Sequence, residues 1–245
     1  MVPIRSLPRK PSPKTPMALP FSSRHQTLLS SYNNKHKGQR GFLIGGGTSI
    51  KYLQDSGFDF QRLKTEITVG VNKAYNLFVP TYLVFGDDFF WKHFSQEIRA
   101  LRCVKFAPSQ ILRGYSDSSL LQLRTSTNYQ EVLPRGLDAS ISFMNNSGVA
   151  ALRVLYCLGC NPIYLLGIDL TENNMGETHF HADYERFKRH TTPAKYKTFH
   201  TEFARTLSAL KTKNISVFSC SSISSLNTII PYINPESLYK GVNSL

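Results

Sequence analysis

The chain has 245 residues, of which 41% are hydrophobic and 18% are charged, and this composition is typical of a globular protein rather than a fibrous or disordered one. Its length predicts one domain of moderate size with a tail. The formal net charge is +13, but the first 40 residues hold eight Lys/Arg and no acid, which leaves 21 basic and 16 acidic residues elsewhere. This mild excess suits an anionic small-molecule substrate better than a nucleic-acid groove.

The first 40 residues are predicted to form a disordered, basic, Pro-rich tail. Its prolines interrupt the apolar core that a secretory signal needs and oppose the amphipathic helix of a transit peptide. No window of the sequence approaches the ~18 apolar residues that cross a bilayer. We therefore expect no transmembrane segment, a location in the cytoplasm or at the periphery of a membrane surface, and a weak contact of residues 1–40 with polyanions.

From residue 41 onward, short apolar runs alternate with helix-like stretches, which predicts a parallel α/β sheet. The predicted strands are Gly41–Gly45, Glu66–Val71, Thr81–Phe85, Cys103–Phe106, Pro162–Gly167 and Ile215–Ser219. Continuous apolar runs such as "ITVGV" indicate strands covered by helices on both faces. The predicted fold is a single Rossmann-like, doubly wound, mostly parallel sheet with helices on both faces, over residues 41–235, followed by a C-terminal tail at 236–245.

Two helices are predicted from their apolar spacing, one over residues 147–159 with Ser147 as its cap and one over residues 201–214. Between residues 114 and 140 the pattern weakens. This segment is interpreted either as an insertion or lid that carries substrate specificity or as a long surface excursion.

In a doubly wound sheet, ligands bind outside the carboxyl ends of the strands, so the polar residues there are the candidate site. The candidates for nucleotide binding are Gly45, Gly46, Gly47, Thr48, Ser49, Asn72, Asp87, Asn146, Ser147, Gly148 and Asp169. Glycine N–H groups can approach a phosphate, Asn amides can bond a base or ribose, and a carboxylate can accept ribose hydroxyls. Each residue alone also fits an ordinary turn or helix cap. The turn "GGGTS" matches neither the dinucleotide nor the Walker glycine spacing, which disfavours NAD and P-loop chemistry.

Four of the seven histidines lie between residues 179 and 200, and a histidine there is a candidate general base near neutral pH. The candidates are His179, His200 and His190. Zinc binding by His179, His181 and Asp183 is the rival interpretation. A third interpretation is a solvated polar loop that carries no chemistry. The "CLGC" at residues 157–160 has redox spacing but lies in an apolar helix, so two small buried residues in a reducing compartment are expected.

Four stretches, "FLIGGGTSI", "VGVNKAY", "NNSGVAALRVLYCLGCNPIYLLGIDL" and "ISVFSCSSISSL", occur in one order along residues 41–235. They resemble the motifs of the bacterial sialyltransferases of glycosyltransferase family 42. They are equally similar to those of the bacterial and phage group known as domain of unknown function 115, or 6-hydroxymethylpterin pyrophosphokinase MptE-like.

The sialyltransferase resemblance implies an inverting glycosyltransferase with a nucleotide-sugar donor of the CMP-sialic-acid kind, an acceptor hydroxyl on a glycan or other molecule, and no essential metal. It implies that the nucleotide is surrounded by Gly45, Gly47, Asn72, Ser147 and Asp169, and that a downstream histidine, His179 first, is the base. Two departures are that the family's G-N-G-P-S is G-G-G-T-S here and that Leu170 and Thr171 replace its aromatic pair.

Two alternatives stay open. The MptE-like resemblance implies transfer of a diphosphate from ATP to a pterin with Mg²⁺, for which Asp87 and Asp88 are the candidate ligands. The other alternative is a non-catalytic module that binds a nucleotide or a polyanion.

Overall fold

The structure is a computed structural model that describes residues 22–112, 120–125, 131–143, 146–187 and 192–239. Residues 1–21 of the predicted tail, the last six residues of the chain, and the candidate base His190 lie outside this part.

The structure contains eight strands and five α-helices within the described residues. The strands are β1 Gly41–Ile44, β2 Ile67–Val71, β3 Tyr82–Val84, β4 Val104–Pro108, β5 Leu120–Thr125, β6 Ser140–Ile141, β7 Ile163–Leu166 and β8 Val217–Ser219. The helices are α1 Ser23–Ser30, α2 Ser49–Asp55, α3 Asp88–Ala100, α4 Ser147–Cys157 and α5 Pro193–Thr212. Short 3-10 turns lie at Phe60–Thr65, Asn72–Asn76, Glu185–Phe187, Ser225–Thr228 and Pro235–Tyr239.

All eight strands form one parallel sheet in the order β6-β5-β4-β3-β2-β1-β7-β8. The chain therefore moves outward from β1 in one direction as far as β6 and then returns to the other side of β1 with β7. This reversal beside β1 is the place where a doubly wound sheet opens a crevice at its carboxyl edge. The predicted α/β fold is confirmed.

Successive residues of β1 face opposite layers, as the pleat of a strand requires. Leu43 packs in the layer that contains α4 and α5, whereas Phe42 and Ile44 pack in the opposite layer with Ile50 of α2. Helix α3 covers the same side as α2 further along the sheet, through Phe90, Trp91, Phe94 and Ile98. Strands buried on both faces explain why the sequence shows continuous apolar runs.

The structure extends the fold beyond the predicted boundaries at three places. Residues 22–40, assigned by sequence to the tail, contain α1 and turns, and Leu29 is buried in the main core at 1% exposure. Residues 120–125, within the expected insertion, form β5 and pair with β4. At the C-terminus, Tyr239 packs over Arg40 with the guanidinium carbon 5.3 Å from the ring centroid.

Sequence periodicity missed β5 because the strand's sequence, "LLQLRT", mixes apolar and polar residues in a stretch flanked by polar segments. It missed α1 because Leu29 is the buried residue of that helix and the other α1 positions are mostly exposed. Within the described residues, no helix combines the length and the apolar composition that crossing a membrane requires.

Candidate functional site

A cleft of about 590 Å³ lies at the carboxyl edge of the sheet, beside the reversal of strand order. Its floor follows the ends of β1, β2, β3 and β7, and its walls are the start of α4, the first turns of α5 and the segment around His179. The predicted site residues that line it are Gly45, Gly46, Gly47, Asn72, Asp87, Asn146, Ser147, Gly148, Asp169 and His179. The parallel sheet brings these distant residues together because all of its strands end at one edge.

The glycine turn after β1 packs tightly against the end of β7. The Gly45 N–H donates to Leu166 O at 2.8 Å, and the Gly47 N–H donates to Gly167 O at 2.9 Å. A Cβ at Gly45 would overlap the Gly167 carbonyl, and one at Gly47 would overlap the Asp169 carboxylate. These glycines are therefore needed for close backbone packing, and two of the N–H groups expected to meet a phosphate are bonded within the protein.

Asp169 holds this turn in place through hydrogen bonds. Its carboxylate accepts from the Ser49 backbone N–H at 2.8 Å, the Ser49 hydroxyl at 2.6 Å and the Ser221 hydroxyl at 2.7 Å, and the residue is 2% exposed. The carboxylate thus occupies the position at the start of α2 where an external anion would be stabilised. Thr48 and Ser49, which the sequence placed in the nucleotide site, are buried against Asp169 and do not line the cleft.

Asn72 directly follows β2 and has φ 50°, a left-handed conformation that is uncommon for residues other than glycine. It lines the cleft, and its Oδ1 atom is buried with no hydrogen-bond partner among the described residues. An unusual backbone conformation and an unpaired buried acceptor both cost free energy, and such costs concentrate at functional sites.

Asn146 is the N-cap of α4, where the sequence had placed Ser147. Its Oδ1 accepts from Gly148 N at 2.8 Å and from Val149 N at 3.3 Å. Its Nδ2 is buried without a partner among the described residues. Because Asn146, Ser147 and Gly148 all line the cleft, the electropositive start of α4 faces the cavity. The Asn146 Nδ2 amide group beside it has no partner among the described residues.

His179 lines the cleft, together with its neighbours Thr178 and Tyr184. Its Nδ1 is 2.7 Å from the Thr178 hydroxyl, and its ring packs edge-on against Tyr184 with centroids 5.0 Å apart. The next residue, Phe180, donates from its N–H to Gly46 O at 3.0 Å, which ties the histidine segment to the glycine turn. His200 lies on α5 and is not a lining residue.

A buried cation that the sequence did not single out supports the His179 segment. Lys73 is 3% exposed, and its ammonium lies 2.6 Å from Glu97 of α3 and 3.6 Å from Asp183. Asp183 also accepts from Asn76 Nδ2 at 2.7 Å and lies 3.4 Å from His181 Nδ1. We call Lys73, Glu97 and Asp183 the lysine clasp. It fixes the turn after β2 to the segment that carries His179.

His181 is the buried member of the histidine pair. Loss of hydration on burial is the main cause that lowers the pKa of His181 to about 4. The Asp183 carboxylate acts to raise this pKa, and the Lys73 ammonium lowers it further. The ring is therefore neutral at pH 7, and it packs against His179 and Tyr184 at centroid distances of 5.4 Å and 4.8 Å. Its role here is packing beside the candidate base.

The carboxylates named for magnesium both line the cleft, but they differ in role. Asp87 caps α3 by accepting from Phe89 N at 2.8 Å, and Asp88 lies in the first turn of that helix. Within the described parts of the chain, no group of three or more His, Cys, Asp or Glu residues is arranged to hold a metal ion, the zinc alternative's trio included.

Sequence reasoning also missed the wall formed by the start of α5. This helix begins at Pro193, with Thr192 as cap, eight residues before the helix predicted from sequence. Its first turns bring Lys195, Tyr196 and Phe199 to the cleft. Thr192 followed by Pro193 is a start signal that could have located it.

The two cysteines of "CLGC" are buried free thiols, and burial raises the pKa of both, that of Cys160 to about 12. Unreactive, packed thiols are what this environment produces.

A scan against models of protein families finds no match, and a search of curated proteins finds none. The search of solved structures finds likenesses to glycosyltransferases. The MAf glycosyltransferase from Magnetospirillum magneticum AMB-1 is 12% identical with a TM-score of 0.51, and the match covers 80% of this chain and 36% of that protein. The chain thus spans about a third of the length of that protein.

The sialyltransferase CstII from Campylobacter jejuni, solved with the substrate analogue cytidine 5′-monophosphate, is 17% identical with a TM-score of 0.50. That match covers 80% of this chain and 85% of CstII. The chain shares the fold of these two enzymes. At such identities the likeness concerns the fold, and the chemistry has to be argued from the site.

Proposed function

We propose that this protein is a glycosyltransferase-like enzyme that binds a nucleotide-activated sugar in the cleft and transfers the sugar to an acceptor hydroxyl. The observation that carries the proposal is the pair of unpaired amide groups, Asn72 Oδ1 and Asn146 Nδ2, on two residues that line one cavity. One is an acceptor and the other a donor, and both lack partners among the described residues. A nucleoside offers both kinds of partner on its base and ribose.

The anionic part of the donor has a matching environment at the start of α4 and at Lys195. The backbone dipole of α4 favours negative charge at Ser147 and Gly148. Among the described residues that line the cleft, Lys195 is the one that carries a Lys or Arg side chain. Both features suit the phosphate, and the glycine turn forms a wall rather than a cradle because the Gly45 and Gly47 N–H groups bond Leu166 O and Gly167 O.

His179 is the proposed base. When the Thr178 hydroxyl accepts from Nδ1–H, the Nε2 lone pair of the neutral imidazole can take a proton. In the proposed step the acceptor hydroxyl loses its proton to Nε2 while its oxygen bonds to the anomeric carbon. The bond from that carbon to the phosphate oxygen breaks, the nucleotide leaves with the electron pair, and the anomeric centre inverts. No metal is required in this scheme.

Nucleotide binding tests the first half of the proposal. Isothermal titration with CMP, UDP and GDP should show binding by the wild-type protein to one of them. Asn146→Asp keeps the oxygen that caps α4 and removes the amide donor, and Asn72→Gly keeps a residue that tolerates φ 50° and removes the acceptor. Each should weaken binding about tenfold or more, since an unpaired buried partner costs ~1–3 kcal/mol.

Transfer to an acceptor tests the second half. His179→Gln should lower kcat by ~10²- to 10⁴-fold with nucleotide affinity unchanged, whereas His200→Gln, on α5 outside the cleft lining, serves as the matched control. Release of AMP from ATP with Mg²⁺, lost in Asp88→Ala, would instead select the diphosphokinase. Absence of binding to any nucleotide would overturn the proposal in favour of a non-catalytic module.

A further inference from the structure

Charge is distributed unevenly between the two ends of the sheet. The carboxyl end, around the cleft, carries charges of both signs, with Asp87, Asp88 and Lys195 in the lining and the pairs Lys51–Glu177 and Lys73–Asp183 beside it. The amino end carries exposed cations on segments that lead into four different strands. These cations are Lys37, Lys64, Arg99, Arg102, Lys211 and Lys213, and together they are the basic face.

The parallel topology places these six residues on one side of the molecule. Lys37 precedes β1, Lys64 precedes β2, Arg102 precedes β4 and Lys213 precedes β8, so each lies near an amino end of the sheet. Between β4 and β8 the sheet order has five intervals, which span about 24 Å at the usual strand spacing. The basic face is therefore broad rather than a single local cluster.

Stabilisation of helix ends accounts for part of this pattern only. Arg99, Lys211 and Lys213 lie at the ends of α3 and α5, where a cation complements the helix dipole. Lys64 likewise lies in the last turn of the 3-10 segment Phe60–Thr65. Lys37 precedes β1, and Arg102 lies two residues beyond the end of α3. The dipole explanation does not require a cation at Lys37 or Arg102.

The carboxylates at the amino end are engaged with other partners. Glu66 pairs with Arg40, and Glu236 lies 3.4 Å from Arg62. Asp138 accepts from Asn33 at 2.6 Å. Asp59 caps the 3-10 turn at residues 60–65 by accepting from Gln61 N at 2.9 Å. Glu66 and Glu236 are thus neutralised by Arg40 and Arg62, which lie outside the basic face, whereas Asp59 and Asp138 keep charges that offset part of its six cations.

A shallow depression lies within this face. It is lined by Lys64 and Arg102 on its charged sides and by Val79, Pro80, Ala100 and Leu101 on its apolar floor. Val79 is 44% exposed, although apolar side chains of its kind are usually buried. Cations that surround an exposed aliphatic patch are the combination that binds anionic bilayers, through headgroup attraction and shallow burial of apolar area.

We infer that the basic face docks this protein on an anionic phospholipid surface, with Val79 against the bilayer interface and the cleft directed away from it. An anionic bilayer is favoured over single-stranded nucleic acid because nucleic-acid surfaces stack bases on aromatic side chains, and the exposed apolar residue here is aliphatic. The inference does not depend on the proposed function.

The test is co-sedimentation of the full chain with phosphatidylcholine vesicles that contain or lack phosphatidylserine. The variant Lys64→Gln/Arg102→Gln/Lys213→Gln removes three charges from the basic face. The matched control Arg24→Gln/Lys92→Gln/Lys197→Gln removes three exposed charges elsewhere. Thermal melts should show both variants folded, because all six side chains are exposed.

We expect the wild-type protein to bind the anionic vesicles and to lose binding as salt is raised. The face variant should lose about fivefold in affinity per charge, on the order of a hundredfold in all, while the control retains most of the binding. Val79→Ser should weaken the binding that remains at high salt. Equal losses in both triple variants, or equal binding to neutral vesicles, would overturn the inference. The inference would also be overturned if the protein bound a single-stranded oligonucleotide more tightly than the anionic vesicles, with this binding lost in the face variant and unchanged in Val79→Ser.

Discussion

Replacement of Asp169 decides whether this carboxylate is an internal anchor or a ligand group. In the structure it accepts three short hydrogen bonds from Ser49 and Ser221 and is 2% exposed. We therefore expect Asp169→Ala to act first on stability. Nucleotide affinity, where the protein stays folded, should change little.

The magnitude follows from the donors left behind. Hydrogen bonds to a buried charged group are worth ~1.5–3 kcal/mol each, and they do not add fully. The hydroxyls of Ser49 and Ser221 can rotate toward other acceptors, but the Ser49 backbone N–H cannot. We therefore expect Asp169→Ala to lower the free energy of unfolding by about 3–5 kcal/mol, a large part of the usual ~5–15 kcal/mol. Asp169→Asn, which keeps one acceptor for that N–H, should lower it by about 1–2 kcal/mol.

Urea unfolding followed by far-UV circular dichroism measures these differences, with unchanged m-values as the condition for comparison. Asp59→Ala is the matched control, because Asp59 is an exposed aspartate whose carboxylate accepts from Gln61 N at 2.9 Å. It should cost about 1 kcal/mol or less. The anchor assignment is refuted if Asp169→Ala unfolds within 1 kcal/mol of wild type, the margin taken from that control, while nucleotide binding disappears.

Three further predictions concern the histidine segment and the glycine turn. Because burial lowers the pKa of His181 from 6.5 to about 4, stability is retained above pH 6.5 and falls by up to ~3 kcal/mol as the pH drops to 4; His181→Gln should flatten this part of the curve measured by urea unfolding. Lys73→Met should speed amide hydrogen exchange in residues 179–187 and lower kcat about tenfold, whereas Lys51→Met, at the partly exposed Glu177 pair, should do neither. Gly47→Ala should lower the thermal midpoint by several degrees through overlap with the Asp169 carboxylate, and an unchanged midpoint would contradict the packing described for the turn.

The strands of the sheet centre could be predicted from sequence because they are buried on both faces, and burial leaves a direct composition signal. Phe42, Leu43 and Ile44 are apolar because each meets one of two helix layers. Strand β5 gave no such signal, since Gln122 and Arg124 interrupt its apolar positions. Residues 22–40 were also assigned to the tail, because their packing depends on a few contacts such as that of Leu29.

The candidate site shows the same division. By itself the sequence placed Asn72, Asp87 and Asn146 near one sheet edge, since the parallel order of strands fixes where each segment ends. It could not decide which polar groups stay available to a ligand. Ser49 and Asp169 bond each other across 120 residues of chain, and Lys73 meets Asp183 only after folding. Hydrogen bonds and ion pairs between distant segments depend on distances of a few ångströms, which only the tertiary structure sets.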